Sequence, residues 1–142
     1  MIDDKTAPYA AFTLRISLAI LFLAHAGLKF FVFTPAGTAG FFQSLGLPSA
    51  LAYATIGAEV VGAALLIAGL YVRYVSIALL PILLGAIFFV HGQNGWLFSN
   101  ENGGWEFPAF WAVALIVQAL LGNGVFALAL GTENQSPRQQ TA

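Results

Sequence analysis

The chain has no cysteine, and only 8% of its 142 residues carry a charge. Without cysteine there is no disulfide, no thiol redox chemistry, no Cys-ligated iron–sulfur cluster and no c-type haem attachment. The shortage of charge is as informative, because an ordinary soluble domain devotes about a quarter of its residues to Asp, Glu, Lys and Arg. Five Lys and Arg against six Asp and Glu leave a net charge of −1. There is no basic stripe to neutralise a phosphate backbone, so a nucleic-acid partner is not expected.

Apolar residues fill this space, making up 59% of the chain at a mean hydropathy of +0.84. The partner this composition demands is the lipid bilayer. The chain reads as a single membrane domain over residues 1–142, an all-α membrane protein formed by a four transmembrane helix bundle. At roughly 20 residues per crossing, the pattern gives spans at about 10–33, 49–70, 74–91 and 108–130. Ile16 to Leu23 with Ala24-His25-Ala26 mimics a signal peptide and its cleavage site, but Asp3 and Asp4 precede it and the apolar run continues to Phe33. A first span is the better reading.

Between the first two spans, Thr34-Pro-Ala-Gly breaks the chain. The segment Gly40 to Pro48, too short to cross, then suits a short interfacial helix. Tyr71-Val-Arg-Tyr separates the second and third spans so tightly that they must form a hairpin. Pro81 should kink the third. A polar loop from Gly92 to Glu106 leads to Pro108, a favourable first-turn residue for the fourth span. Gly122-Asn123-Gly124 is expected to loosen that helix near its end, and the polar tail 131–142 to be disordered and cytoplasmic.

Lys5, Arg15, Arg73 and Arg138 fall on or near the side of the termini, whereas Lys29 lies opposite together with Glu101 and Glu106. The positive-inside rule then places both termini in the cytoplasm. Tyr9, Tyr71 and Tyr74 would form the inner aromatic belt, and Trp96, Trp105 and Trp111 the outer one. Ala54, Ala58 and Gly62 form a small-xxx-small stripe suited to close helix packing.

Ionisable groups at membrane depth cost on the order of 2.5–3.5 kcal/mol each on insertion scales, so they face the bundle interior and seek partners. Counting about 1.5 Å per residue from the outer boundary, Glu59 lies roughly 15 Å in, His25 roughly 12 Å and Lys29 roughly 6 Å. His25 and Lys29 share a helix face. They form with Glu59 a natural cluster, and His91 at the same boundary extends it into a candidate ligand site. Arg15 and Arg73 are read as structural, anchoring the inner end by snorkelling. The alternative is a Lys29–Glu59 pair that only fixes helix register.

Haem between His25 and His91 is disfavoured, because their depths differ by roughly 12 Å. A metal held by His25, Glu59 and His91 lacks any diagnostic spacing, and none is expected. A quinone asks only for an apolar cleft with a few polar groups, and Phe30, Phe31, Phe88 and Phe89 are candidates to wall it. No nucleophile–base pair and no phosphate-binding loop appears.

The order of these features resembles the DoxX family: Arg15, Gly27-Leu-Lys29, Phe42-x-x-Leu45-Gly46-Leu47-Pro48, Glu59, Gly62, Leu65-Leu-Ile-Ala-Gly69-Leu70-x-x-Arg73, His91 and Gly122-Asn-Gly124. The resemblance spans about residues 12 to 130. It implies a four-span bacterial inner-membrane protein, the membrane subunit of a quinone-linked or oxidative-stress-related oxidoreductase complex. Arg15, Lys29, Glu59, Arg73 and His91 would be its characteristic polar positions. Asn123 departs from the family's usual Gly-Pro-Gly, and His25 replaces a residue that is often small or apolar. A soluble or membrane oxidoreductase is the implied partner, homo-oligomers are compatible with it, and catalysis by this chain alone is not expected. The competing expectations are a scaffolding protein and, with less support, a small permease, since no inverted repeat or broken helix pair stands out.

Overall fold

The computed structural model describes residues 3–128, so the tail 131–142, with Arg138, lies outside the described residues. Helix α1 (Ala7–Gly27) runs on into a π-helical turn, Leu28–Val32. Helices α2 (Pro35–Ser44), α3 (Ser49–Ala68) and α4 (Val72–Ala86) follow; α4 continues through a π turn, Ile87–His91, and a 3₁₀ turn, Gly92–Asn94. Helix α5 (Glu106–Leu121) completes the order, and no strand occurs among the described residues.

Three of these helices are long and apolar enough to cross a membrane: Ala7–Val32, Ser49–Ala68 and Val72–Asn94. Helix α5 is equally apolar but has 16 residues, about 24 Å at 1.5 Å each. The sequence extends this helix to residue 130, whereas it stops at Leu121. The cause is Gly122, whose φ of 83° and ψ of −150° leave the helical region and are open only to glycine at low cost. Residues 122–128 instead fold across the terminus end of the bundle, where the Val125 N–H donates to the Pro8 carbonyl (3.1 Å) and the Leu128 N–H to the Ala68 carbonyl (2.9 Å). Rather than loosening the helix, the glycine pair ends it.

The short helix between the first two spans also begins earlier than the sequence suggests. Thr34-Pro-Ala-Gly starts α2: the Thr34 hydroxyl caps it by accepting from the Gly37 N–H (3.1 Å), and Pro35 fills the first turn, where its missing N–H costs nothing. A turn at Gly46, with φ of 78°, then separates α2 from α3.

Packing follows a closed ring in which α1 touches α3, α3 touches α4, α4 touches α5 and α5 returns to α1. Helix α2 lies against α3 and the π turn of α1. The core joins Leu18, Ala19 and Phe22 to Ala63 and Leu66, to Val75, Leu79 and Leu83, and to Trp111, Ala112 and Leu115. On α3 the buried face is Ala52, Ile56, Glu59, Gly62, Ala63 and Leu66. Ala54 and Ala58 are exposed, so the expected small-residue stripe does not mediate packing within the bundle; only Gly62 does. A Cβ there would meet the Leu79 side chain at 2.8 Å.

Gly69 turns the chain between α3 and α4 with φ of 74°, and an added Cβ would run into the Arg15 guanidinium and stand 2.7 Å from Ala127 Cα. Gly69→Ala therefore combines a left-handed backbone with a steric conflict against backbone that cannot yield. It should lower unfolding stability in detergent micelles by about 2 kcal/mol or more. A denaturation curve that matches the wild type would contradict this placement.

Candidate functional site

The site is built across the seam between α1 and α3. Lys29 stands in the π turn that ends the first span, and Glu59 lies in the middle of α3 with 2% of its side chain exposed. The Lys29 ammonium donates to both carboxylate oxygens, at 2.7 and 3.0 Å. Such a pair replaces two separate desolvation costs with one short contact in a medium of low dielectric. The π turn itself widens the helix by one residue, a distortion that often marks functional positions. Thr38 of α2 steadies it: its buried hydroxyl donates to the Lys29 carbonyl (3.2 Å) and contacts the Thr34 carbonyl (2.9 Å).

His25 sits one turn deeper than Lys29 on the same helix. Its Nδ1 is 3.0 Å from the Leu21 carbonyl, which can only accept, so Nδ1 carries a hydrogen, and Nε2 has no hydrogen-bond partner among the described residues. The ring shares no hydrogen bond with Glu59, whose two carboxylate oxygens are bonded by Lys29. It stacks on Phe107, at 6.3 Å between centroids, and leans on Trp111 at 4.8 Å. Trp111 is 4% exposed and its indole N–H has no acceptor among the described residues.

His91 does not join this group. Its Nδ1–H donates to the Gly103 carbonyl (2.9 Å), closing the loop between α4 and α5. Asn94 adds bonds to the carbonyls of Asn102 (3.1 Å) and Gly103 (3.0 Å), and Glu106 accepts from the Phe98 N–H (2.8 Å). A place toward the same boundary does not bring His91 to Lys29, because α1 and α4 stand diagonally across the bundle. The four-residue site thus resolves into the Lys29–Glu59 pair, with His25 one turn deeper on the helix of Lys29. Among the described residues no three His, Asp or Glu side chains come close enough to hold a metal. The aromatic wall also differs from expectation: Phe30, Phe31, Phe88 and Phe89 are all more than half exposed and face outward.

At the terminus end Arg15 is wholly buried rather than snorkelling. It donates to the carbonyls of Asn123 (2.8 Å), Val125 (3.3 Å) and Phe126 (3.4 Å), and its guanidinium carbon is 5.3 Å from the centre of the Phe12 ring. Arg73 is exposed and lies against Gly122. Buried Gln118 fastens the same turn through its side-chain N–H to the Gly122 carbonyl (2.8 Å). Sequence reasoning misses Thr38, Gln118 and the role of Trp111. The signal for Trp111 is its place one turn beyond Phe107, on the side of α5 that also buries Pro108 and Leu115.

These features define a small helical membrane protein with a polar cluster held at membrane depth. Residues 10–92 match the DoxX family, more than half of the chain, and the chain belongs to that family. It is 33% identical over 127 residues to a Haemophilus influenzae protein named only "Uncharacterized protein", covering 88% of this chain and 92% of that one. It is also 33% identical over 125 residues to a Bacillus subtilis protein named "Putative oxidoreductase CatD", covering 88% of each. No solved structure matches it.

Proposed function

We propose that this chain is the membrane subunit of a quinone-linked oxidoreductase system in the bacterial inner membrane, with both termini cytoplasmic and with a soluble or membrane oxidoreductase as its partner. The quinone head binds at His25, beside the Lys29–Glu59 pair. The observation that carries this reading is the buried carboxylate of Glu59, held by Lys29, whose helix carries His25 one turn deeper. Ionisable residues at this depth are costly and mark functional positions by default. The relative named as an oxidoreductase is consistent with it.

A structural reading is favoured by one specific feature: the pair is bidentate, so Lys29 and Glu59 satisfy each other without a ligand. The two readings part at Glu59→Gln, which keeps the shape and an oxygen to accept from Lys29. In nanodiscs, wild-type protein should retain ubiquinone-1 above empty discs, and Glu59→Gln should weaken that retention at least tenfold. Equal retention by both, or none by the wild type, rejects the quinone reading and leaves the pair as a helix lock.

A further inference from the structure

On the side of the bundle opposite the termini, a groove of about 760 Å³ opens between the α4–α5 loop and the start of α5, lined chiefly by Trp96, Phe98, Trp105, Phe107 and Phe110. Phe107 forms its inner wall, 5.7 Å from Phe98 on the groove side and 5.7 Å from Trp111 on the other, between ring centroids. Behind Phe107 stands His25, whose ring stacks on it. A path of aromatic rings therefore runs from the groove to the polar cluster.

Two unused hydrogen-bonding groups lie at the end of that path. The Trp111 N–H is buried with no acceptor among the described residues, on a ring packed against His25. With Nδ1 bound to the Leu21 carbonyl, the His25 Nε2 is also without a partner among the described residues. A buried donor left unmatched is costly, and native structures tolerate it where a ligand or water supplies the partner. An oxygen that meets both rings can accept from the Trp111 N–H and pair with the His25 Nε2, as acceptor or, when protonated, as donor. The groove adds room for an apolar tail and no charge except Glu106, whose carboxylate already accepts from the loop.

From this arrangement we infer that Trp111 and His25 bind the ring oxygen of an amphipathic quinone or quinol, that its tail lies in the groove, and that Phe107 separates the two. This rests on the quinone reading and adds to it the atoms that recognise the head and the route by which it arrives. Trp111 and His25 act here by binding and orienting the oxygen.

The test compares ubiquinone-1 in nanodiscs carrying the full chain, read by equilibrium retention and by the infrared carbonyl stretch of ¹³C-labelled quinone. Trp111→Phe keeps an aromatic ring and removes the N–H. It should weaken retention about fivefold to tenfold and return the bound carbonyl band toward its frequency in lipid, since a lost neutral hydrogen bond is worth about a factor of this size. Ala109 also lines the groove, and Ala109→Trp, which fills it, should weaken ubiquinone-8 at least tenfold and leave tail-less ubiquinone-0 unchanged. If Glu59→Gln weakens binding while Trp111→Phe alters neither affinity nor frequency, this inference falls and the functional reading stands. If phosphatidylethanolamine displaces the quinone from the groove stoichiometrically, the groove is a lipid site and the inference also falls. A wild type that binds no quinone overturns both.

Discussion

Arg15→Met should destabilise the folded protein by about 3–5 kcal/mol, since it removes charge-assisted hydrogen bonds worth about 1.5–3 kcal/mol each from carbonyls that have no other donor among the described residues. Arg15 is 0% exposed and ties down Asn123, Val125 and Phe126, the segment that closes the terminus end of the bundle after α5 stops at Gly122. In water those carbonyls would rehydrate; at the edge of a bilayer they face a poorer solvent. Methionine matches the length of the aliphatic stem, so the loss is of bonding more than of packing. Arg15→Lys should recover part of the stability, because one ammonium cannot span three carbonyls as a guanidinium fork does. Unfolding in mixed micelles measures both, and protease cleavage within residues 122–128 should rise in step. Wild-type stability for Arg15→Met would show that the segment is held by other contacts.

The second large effect concerns Lys29 and Glu59, and it should be asymmetric. Lys29→Met strands a carboxylate with 2% exposure, and breaking a buried pair in this way costs about 3–5 kcal/mol. Glu59→Leu strands Lys29, whose side chain is 20% exposed and can turn its ammonium toward the membrane surface; about 1–3 kcal/mol is expected there. Replacing both together removes the unpaired charge, so the double variant should unfold close to the wild type. A thermodynamic cycle in micelles would then return a coupling of several kcal/mol. Additive losses would mean that the two side chains act separately.

The helical architecture and the Lys29–Glu59 contact were legible because they rest on strong signals. Long apolar runs admit few alternatives at membrane depth, and an isolated Glu59 in such a run demands a cation from a neighbouring helix. Which face of a span turns inward was not legible. Lipid tails are as apolar as leucine, so Ala54 and Ala58 can face the bilayer while the next member of their stripe, Gly62, packs on Leu79. The same ambiguity hid the difference between His25, which meets α5, and His91, which meets its own loop. Depth along an axis says nothing about angle around it.

Local backbone geometry set the other limits. The π turns at Leu28–Val32 and Ile87–His91 carry Lys29 and His91, yet a shift of one residue per turn leaves no mark on an all-apolar period. Thr34-Pro-Ala-Gly was ambiguous because a cap followed by proline begins a helix as readily as it breaks one. Arg15 near a span end resembled a snorkelling anchor, and only the return of residues 122–128 over it explains its burial. That return depends on long-range contacts that no local pattern contains.

The central claim is that a quinone meets the bundle beside Lys29 and Glu59, and the double variant Lys29→Met with Glu59→Leu tests it most directly because its fold should be intact. Retention of ubiquinone-1 by this variant in nanodiscs should fall to the level of empty discs while its unfolding curve stays near that of the wild type. Retention equal to the wild type, at equal stability, would contradict the account and leave the pair as a lock between helices.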